Sequence, residues 1–265
     1  MMQVMELTAD EVADLVEQFW SLGGESVDLG LGRLVRSPAA PGHPLENFLT
    51  SLRVGSEDQL VSLLADVEAI TGAPCRRVLI SPRTPPAVEA LLVLNDWSLD
   101  TQLQFVLPAS VAIEPATLML ELAQDDEDWR AIEGLFRIDH IEEDRRAGRA
   151  VRSVSETCAA VLLRRGLTPA TYFVARHDSR AVGCIGVWTR SDGAAMIEDV
   201  FVHPEARGEG IATQMLRFVI RTARERGSRP VLIGAEADDT PKHLYARFGF
   251  RPTAVTRSYS ASRAG

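Results

Sequence analysis

The stretch 56–71 sets Leu60, Leu63, Leu64, Val67 and Ile70 on one stripe at helical spacing, which predicts an amphipathic helix. Before it, residues 8–22 read as a helix, with Thr8 as its N-cap and Gly23-Gly24 as its stop. Strand patterns follow near 30–36 and 45–54. After the 56–71 helix come a short apolar strand at 77–81, a helix at 85–95 and a strand at 99–107 that runs into Leu107-Pro108. Further on, helices are predicted at 126–146 and 155–165, bracketing a charged loop at 147–152. Three strands then follow at 171–176, 181–189 and 194–202, joined by the short polar connections His177-Asp178-Ser179-Arg180 and Arg190-Ser191-Asp192-Gly193. The chain continues with a helix at 210–226, a strand at 231–235, a helix at 241–248 and a strand near 253–260. An antiparallel meander leading into a βαβ unit predicts an α/β fold with a mixed sheet.

The break at Leu107-Pro108 divides the chain into segments 1–108 and 109–265. An ungapped shift of 153 residues lays one on the other: Val78-Leu79-Ile80 falls on Val231-Leu232-Ile233, Leu63 and Val67 on Leu216 and Ile220, Leu91 on Leu244, and Trp97 on Phe250. Helix, strand, helix, aromatic and strand recur in one order, the signature of a degenerate internal repeat.

Composition narrows the class. Of 265 residues 46% are hydrophobic and 25% charged, which predicts a folded globular protein. No apolar run reaches membrane-span length, and residues 1–11 lack the basic and apolar blocks of a secretory signal. Cys75, Cys158 and Cys184 are too few and too scattered for a disulfide framework or a CxxC metal pair, so a reducing, cytoplasmic setting is expected. The five histidines show no ligand spacing, and no metal is expected. The net charge of −9 lies wholly in the first 110 residues, which carry six arginines, no lysine and fifteen carboxylates. The remaining 155 residues carry 22 charges of each sign. Without a basic patch, nucleic acid is disfavoured as a partner.

The chemistry concentrates at Glu198-Asp199-Val200-Phe201-Val202-His203-Pro204-Glu205-Ala206-Arg207-Gly208-Glu209-Gly210-Ile211-Ala212. A strand stops at a proline, and a glycine-containing turn opens directly into a helix. Such a turn lets amides converge on an anion at the positive end of the helix dipole, which points to a phosphate-bearing ligand. The spacing fits neither the ATP-binding GxxxxGK[ST] loop nor the dinucleotide GxGxxG fingerprint.

These residues resemble the GNAT superfamily of acyl-CoA-dependent N-acyltransferases. Arg207-x-x-Gly210-x-Ala212 is similar to its Q/R-x-x-G-x-G/A signature, and Val200-Phe201-Val202-x-Pro204 to the strand preceding it. Leu244-Tyr245-Ala246-Arg247-Phe248-Gly249-Phe250 looks like its LYxxxGF ending. The resemblance covers about residues 112–260 and implies a GNAT-like fold there, preceded by a degenerate GNAT-like lobe. It implies that the amides of Arg207, Gly208, Glu209, Gly210, Ile211 and Ala212, with Thr213 as an extra hydroxyl donor, hold the pyrophosphate of acetyl-CoA. Main-chain groups of Val200, Phe201 and Val202 would hold the pantetheine arm. Tyr245 would be the general acid; on its pattern alone, without the motif, it reads as a core tyrosine. Glu198 and Asp199, adjacent on a strand and so expected on opposite faces, are the candidate bases or amine contacts; local hydrogen bonding is the plainer role for either. Asp238-Asp239 stands where relatives carry a cofactor-contacting Asn, which puts that contact at Asp238 in doubt. Glu209 is expected to face solvent.

The resulting expectation is an N-acetyltransferase moving an acetyl group from acetyl-CoA to a primary amine by direct attack in a ternary complex. The alternative is a non-catalytic acyl-CoA sensor. The acceptor is a small-molecule or peptide amine, with no membrane partner, and homodimerisation is left open. Under the 153-residue shift Val54 takes the place of Arg207, Glu57 of Gly210, Gln59 of Ala212 and Leu92 of Tyr245. The first segment is therefore expected to bind no cofactor and to act as a scaffold. Asp125-Asp126-Glu127-Asp128 reads as a helix cap, Glu142-Glu143-Asp144-Arg145-Arg146 as a solvated helix face, and Trp129 and Trp188 as core.

Overall fold

The computed structural model describes residues 7–38, 40, 43, 45–190, 193–237 and 240–261. The first segment contributes α1 (Ala9–Trp20), β1 (Glu25–Asp28), β2 (Arg33–Arg36), β3 (Asn47–Thr50), α2 (Glu57–Thr71), β4 (Arg77–Leu79), α3 (Pro86–Leu94) and β5 (Ser98–Leu107). The second contributes β6 (Leu120–Leu122), α4 (Asp126–Arg146), α5 (Val154–Gly166), β7 (Thr171–His177), β8 (Arg180–Thr189), β9 (Ala195–Val202), α6 (Ile211–Glu225), β10 (Val231–Glu236), α7 (Pro241–Phe248) and β11 (Arg251–Ser260). Local chemistry accounts for the helix starts. The Thr8 hydroxyl and the Glu11 carboxylate cap each other's backbone amides at α1, and Ser153 and Glu156 do the same at α5.

The strands form one mixed sheet in the order β1-β2-β3-β4-β11-β5-β10-β9-β8-β7-β6. Its centre joins the two segments. β5 leaves the first segment to pair antiparallel with β10, from Leu107 opposite Val231 to Gln102 opposite Glu236. β11 leaves the second segment to pair antiparallel with β4, and β5 and β11 pair with each other along almost their whole lengths. Each segment's last strand thus completes the sheet of the other. The 153-residue shift carries β5 onto the span of β11 and α2 to within one residue of α6.

Helices cross over as well. Val12, Leu15, Val16 and Phe19 of α1 pack on Val106, Trp188, Met196 and Leu232, a face of the second segment's sheet. Leu163 of α5 packs on Val35, Leu45 and Phe48 of the first. The opposite face of the second sheet buries Val231, Ile233, Ala195 and Ile197 against Met215, Leu216, Val219 and Ile220 of α6. Strands covered on both faces explain the near-continuous apolar runs at the sheet centre.

β1 and β6 lie outside the predicted strands. They are short edge strands of four and three residues, mostly exposed, with no alternation to reveal them. The acidic run on α4 is not the solvated face expected from sequence. Glu142 pairs with Arg207, Glu143 with Arg152, and Asp144 is 2% exposed and held by Arg149 and Arg152.

Candidate active site

The site begins where two parallel strands part. β9 and β10 pair at Ala195–Val231, Met196–Leu232 and Ile197–Ile233, and their pairing ends there. Beyond it β10 continues against β5 while β9 continues against β8, as far as Val202 opposite Gly183. The β10-facing edge of residues 198–202 is left without a ladder partner, and its backbone groups line a wedge between the strands.

Within the wedge β9 is bulged. Glu198 lies opposite Gly186 and Phe201 opposite Cys184, so the segment between them carries one extra residue. The bulge is made by Asp199, whose φ of +54° is rare for a residue with a side chain. The Asp199 carboxylate accepts from Arg164 Nε at 3.2 Å and Nη2 at 3.1 Å, and from the Tyr172 hydroxyl at 2.7 Å. Tyr172, Gly186 and Glu198 stand opposite one another across three strands and so share a face. The bulge therefore breaks the alternation expected from sequence: both carboxylates serve the α4–α5 side of the sheet.

Their electrostatics differ. Burial and the adjacent Asp199 charge push the Glu198 carboxyl up to about 8, against smaller opposing effects of Arg164 and the Asp199 amide. On α4, burial and the neighbouring Glu143, Asp199 and Glu142 raise Asp139 to about 7. His140, hydrogen-bonded to Thr157 at 3.0 Å, is lowered to about 4 by burial and by Arg152 and Arg164. The site thus holds two carboxyls that exchange protons near neutrality beside a neutral imidazole.

After β9, Pro204–Ala206 makes one 3-10 turn and Arg207 leads into the loop. Gly208 and Gly210 have φ of +86° and +80°, and a Cβ on either meets nothing within 4 Å. Glycine is required there by the backbone conformation, over open space. Gly210 is the N-cap of α6, no side chain caps that helix, and its first turn carries no acid. The leading amides of a fifteen-residue helix thus have no side-chain cap, next to open space at Gly208 and Gly210. The Arg207 side chain turns back, donating to Val202 O at 3.0 Å and to Glu142 of α4 at 2.5 Å, and stacks over Phe201 at 5.5 Å. Glu209 is exposed, as expected. Ile211, Ala212 and Thr213 are half-buried in the first turn of α6.

Tyr245 on α7 is 4% exposed, with its ring 6.2 Å from Phe105 of β5 and 6.0 Å from Phe250. It belongs to the core against which Val200, Val202 and Ile211 also pack, so it shares a side with the wedge and loop. Asp238 and Asp239 lie outside the described residues.

The matching helix start in the first segment is closed. Ser56 caps α2 through Gln59 N at 3.3 Å, the Gln59 side chain takes the Gly55 amide at 2.7 Å, and Glu57 and Asp58 occupy the first turn. Leu92, the counterpart of Tyr245, is fully buried. Arg164, Tyr172 and Asp139 belong to the site without any motif having marked them. Among the described residues no group of three or more His, Cys, Asp or Glu side chains is arranged to hold a metal ion, and no helix is long and apolar enough to cross a membrane.

Residues 168–252, which span the wedge, loop and α7, match the acetyltransferase (GNAT) domain family. The chain carries a GNAT acetyltransferase domain. A mycothiol acetyltransferase of Cellulomonas flavigena is 25% identical over 269 residues, covering 92% of this chain and 72% of that protein. A second, from Clavibacter sepedonicus, is 31% identical over 156 residues, or 58% of this chain and 47% of the relative. In fold, the chain matches a GCN5-related N-acetyltransferase from Kribbella flavida with a TM-score of 0.66 at 14% identity, covering 97% and 96% of the two chains. It also matches a tandem GNAT protein from the clavulanic acid biosynthesis pathway, with a TM-score of 0.52 at 18% identity over 87% and 78%. The fold is a GNAT fold preceded by a degenerate GNAT-like lobe, and the protein is an acyltransferase.

Proposed function

We propose that this acyltransferase moves an acetyl group from acetyl-CoA to a primary amine by direct attack in a ternary complex. The observation that carries the reading is the pairing of β9 with β10, which stops at Ile197–Ile233 and leaves an open strand edge leading to the uncapped N-terminus of α6. The amides of residues 207–212 and the Thr213 hydroxyl hold the pyrophosphate, and the opened edge at Val200, Phe201 and Val202 pairs with the pantetheine arm. A main-chain donor there polarises the thioester carbonyl, an effect worth about 3 kcal/mol per donor in comparable sites.

Glu198 takes a proton from the acceptor ammonium, since only the neutral amine is nucleophilic, and its elevated affinity for protons suits that task. The amine nitrogen forms a bond to the acetyl carbon, the carbon–sulfur bond breaks with its electron pair on sulfur, Tyr245 protonates that thiolate, and the second proton lost by the nitrogen as it becomes an amide restores the tyrosine hydroxyl. Asp199, already bound by Arg164 and Tyr172, acts as a fixed negative charge beside the base rather than as an amine ligand. In this reading residues 109–265 form the catalytic domain and residues 1–108 a cofactor-free scaffold, and the protein works in the cytoplasm.

The test is calorimetry with coenzyme A, followed by release of free thiol from acetyl-CoA against an amine panel. Amines related to mycothiol head the panel because two relatives bear that name. Binding with turnover that is lost in Glu198→Gln supports the reading. No heat with coenzyme A overturns it, and tight binding without turnover on any amine replaces it with a sensor.

A further inference from the structure

We propose that Trp20, at the end of α1, is a positioning residue for the carboxylates of β9, acting across the segment boundary through Arg164. The proposal deepens the reading of Glu198 as the base and rests on it for its catalytic meaning.

Arg164 sets its guanidinium carbon over two aromatic rings, 5.1 Å from the ring centre of Trp20 and 5.2 Å from that of Phe136 of α4. Its side chain is 12% exposed, as is that of Asp199. Two ring contacts restrict the planar group, whose N–H donors lie along its edge. All three nitrogens donate: Nε and Nη2 to Asp199, and Nη1 to Ala160 O at 3.3 Å. The two-point contact fixes where the Asp199 carboxylate sits, and the Tyr172 hydroxyl fixes it from β7. Asp199 is also the residue whose left-handed backbone makes the bulge, so a side-chain clamp here holds the main chain of residues 198–202.

Trp20 is the ring of this clamp that comes from the first segment. It packs edge-on against Phe19, which is itself fixed near Trp188 of β8. A wall of the clamp is therefore built from the lobe that lacks a cofactor loop, giving that lobe a direct hold on the acid–base site. The charges facing Glu198 are Asp199 beside it and Arg164 from α5. Asp139 of α4, His140 and Tyr172 of β7 face Asp199, with Glu143 beyond Asp139, while His43 and His140 face Arg164, with Arg152 beside both histidines.

The experiment uses the full chain, with ¹³C at glutamate carboxyls and ¹⁵N at backbone amides. The carboxyl signal that vanishes in Glu198→Gln is titrated in the wild type, Trp20→Leu and Trp20→Phe, and the amides of residues 198–202 are followed with it. Trp20→Leu is expected to displace those amides and to move the Glu198 midpoint by about half a pH unit or more. Trp20→Phe, which keeps an aromatic face, restores both. Unchanged amides and an unchanged midpoint in Trp20→Leu overturn the proposal. An ordinary wild-type midpoint with amides still displaced in Trp20→Leu removes Glu198 as the base but leaves the positioning role standing. If Trp20→Leu does not fold, Arg164→Lys, which keeps the charge and loses the planar fork, must displace the same amides; if it does not, the proposal is refuted.

Discussion

Glu198 and Asp199 are consecutive residues on one strand, yet of the two it is Asp199 that forms an ion pair among the described residues. Arg164 and Tyr172 close on Asp199, while Glu198 meets burial and the Asp199 charge and holds its proton up to about 8. A bulge that turns both side chains to one side makes one carboxylate the electrostatic setting of the other. This is how two adjacent acids acquire separate roles.

The first prediction concerns pH. Activity should rise about tenfold per unit below pH 8 and level off above it, because the base must be ionised. Asp199→Asn removes the like charge and should move this limb to lower pH. Stability changes in the opposite sense. Glu198 binds its proton up to about 8 in the folded chain and up to its ordinary value of 4.5 when unfolded, so the native state binds more protons between those limits. Its contribution to stability therefore declines as pH rises through that window, and Asp139, raised to about 7, adds to the decline. His43 and His140, lowered to about 3 and about 4, act oppositely in acid. The wild-type and Glu198→Gln denaturation midpoints should thus diverge from pH 4.5 to 8, with the wild type losing ground.

The second prediction separates strain from charge at the loop. Gly210→Ala adds a methyl in open space to a left-handed backbone, costing about 1–2 kcal/mol of stability. Gly210→Glu, which installs the side chain found at position 57, adds a carboxylate at the helix end where the diphosphate would bind. It should weaken coenzyme A binding at least about tenfold beyond Gly210→Ala in calorimetry.

The third concerns Tyr245. Its ring is packed between Phe105 and Phe250, so Tyr245→Phe should leave the melting temperature nearly unchanged. If the hydroxyl protonates the leaving sulfur, kcat should fall about 10²-fold or more with little change in coenzyme A affinity. Full activity in this variant would make it a core tyrosine only.

What the sequence disclosed follows from the range of the interactions involved. The spans of α4 and α7 and the cap at Thr8 rest on contacts within a few residues and were readable directly. The glycine turn into α6 was readable because its glycines and helix start are contiguous. The bulge at Asp199 was not, since it depends on Arg164 and Tyr172, 35 and 27 residues away. Adjacent strand residues were therefore expected on opposite faces. Likewise α4's acids looked solvated because their partners, Arg152 and Arg207, arrive from a later loop and from the strand end. The repeat was visible as spacing, whereas the exchange of β5 and β11 between segments has no local signature.

That exchange gives the last prediction. Removing residues 1–108 takes β5 from between β10 and β11, leaving two central strand edges bare, and strips α1 from Trp188, Met196 and Leu232. It also removes Phe105 from Tyr245 and Trp20 from Arg164. Bare central edges and an uncovered apolar face favour aggregation over a smaller native state. A fragment of residues 109–265 should therefore be insoluble or lack a cooperative melt when made alone. Co-expression with residues 1–108 should recover a soluble complex, because the exchanged strands need a common sheet and not a continuous chain. A soluble 109–265 fragment that binds coenzyme A as tightly as the whole protein would show that the first segment merely accompanies the second.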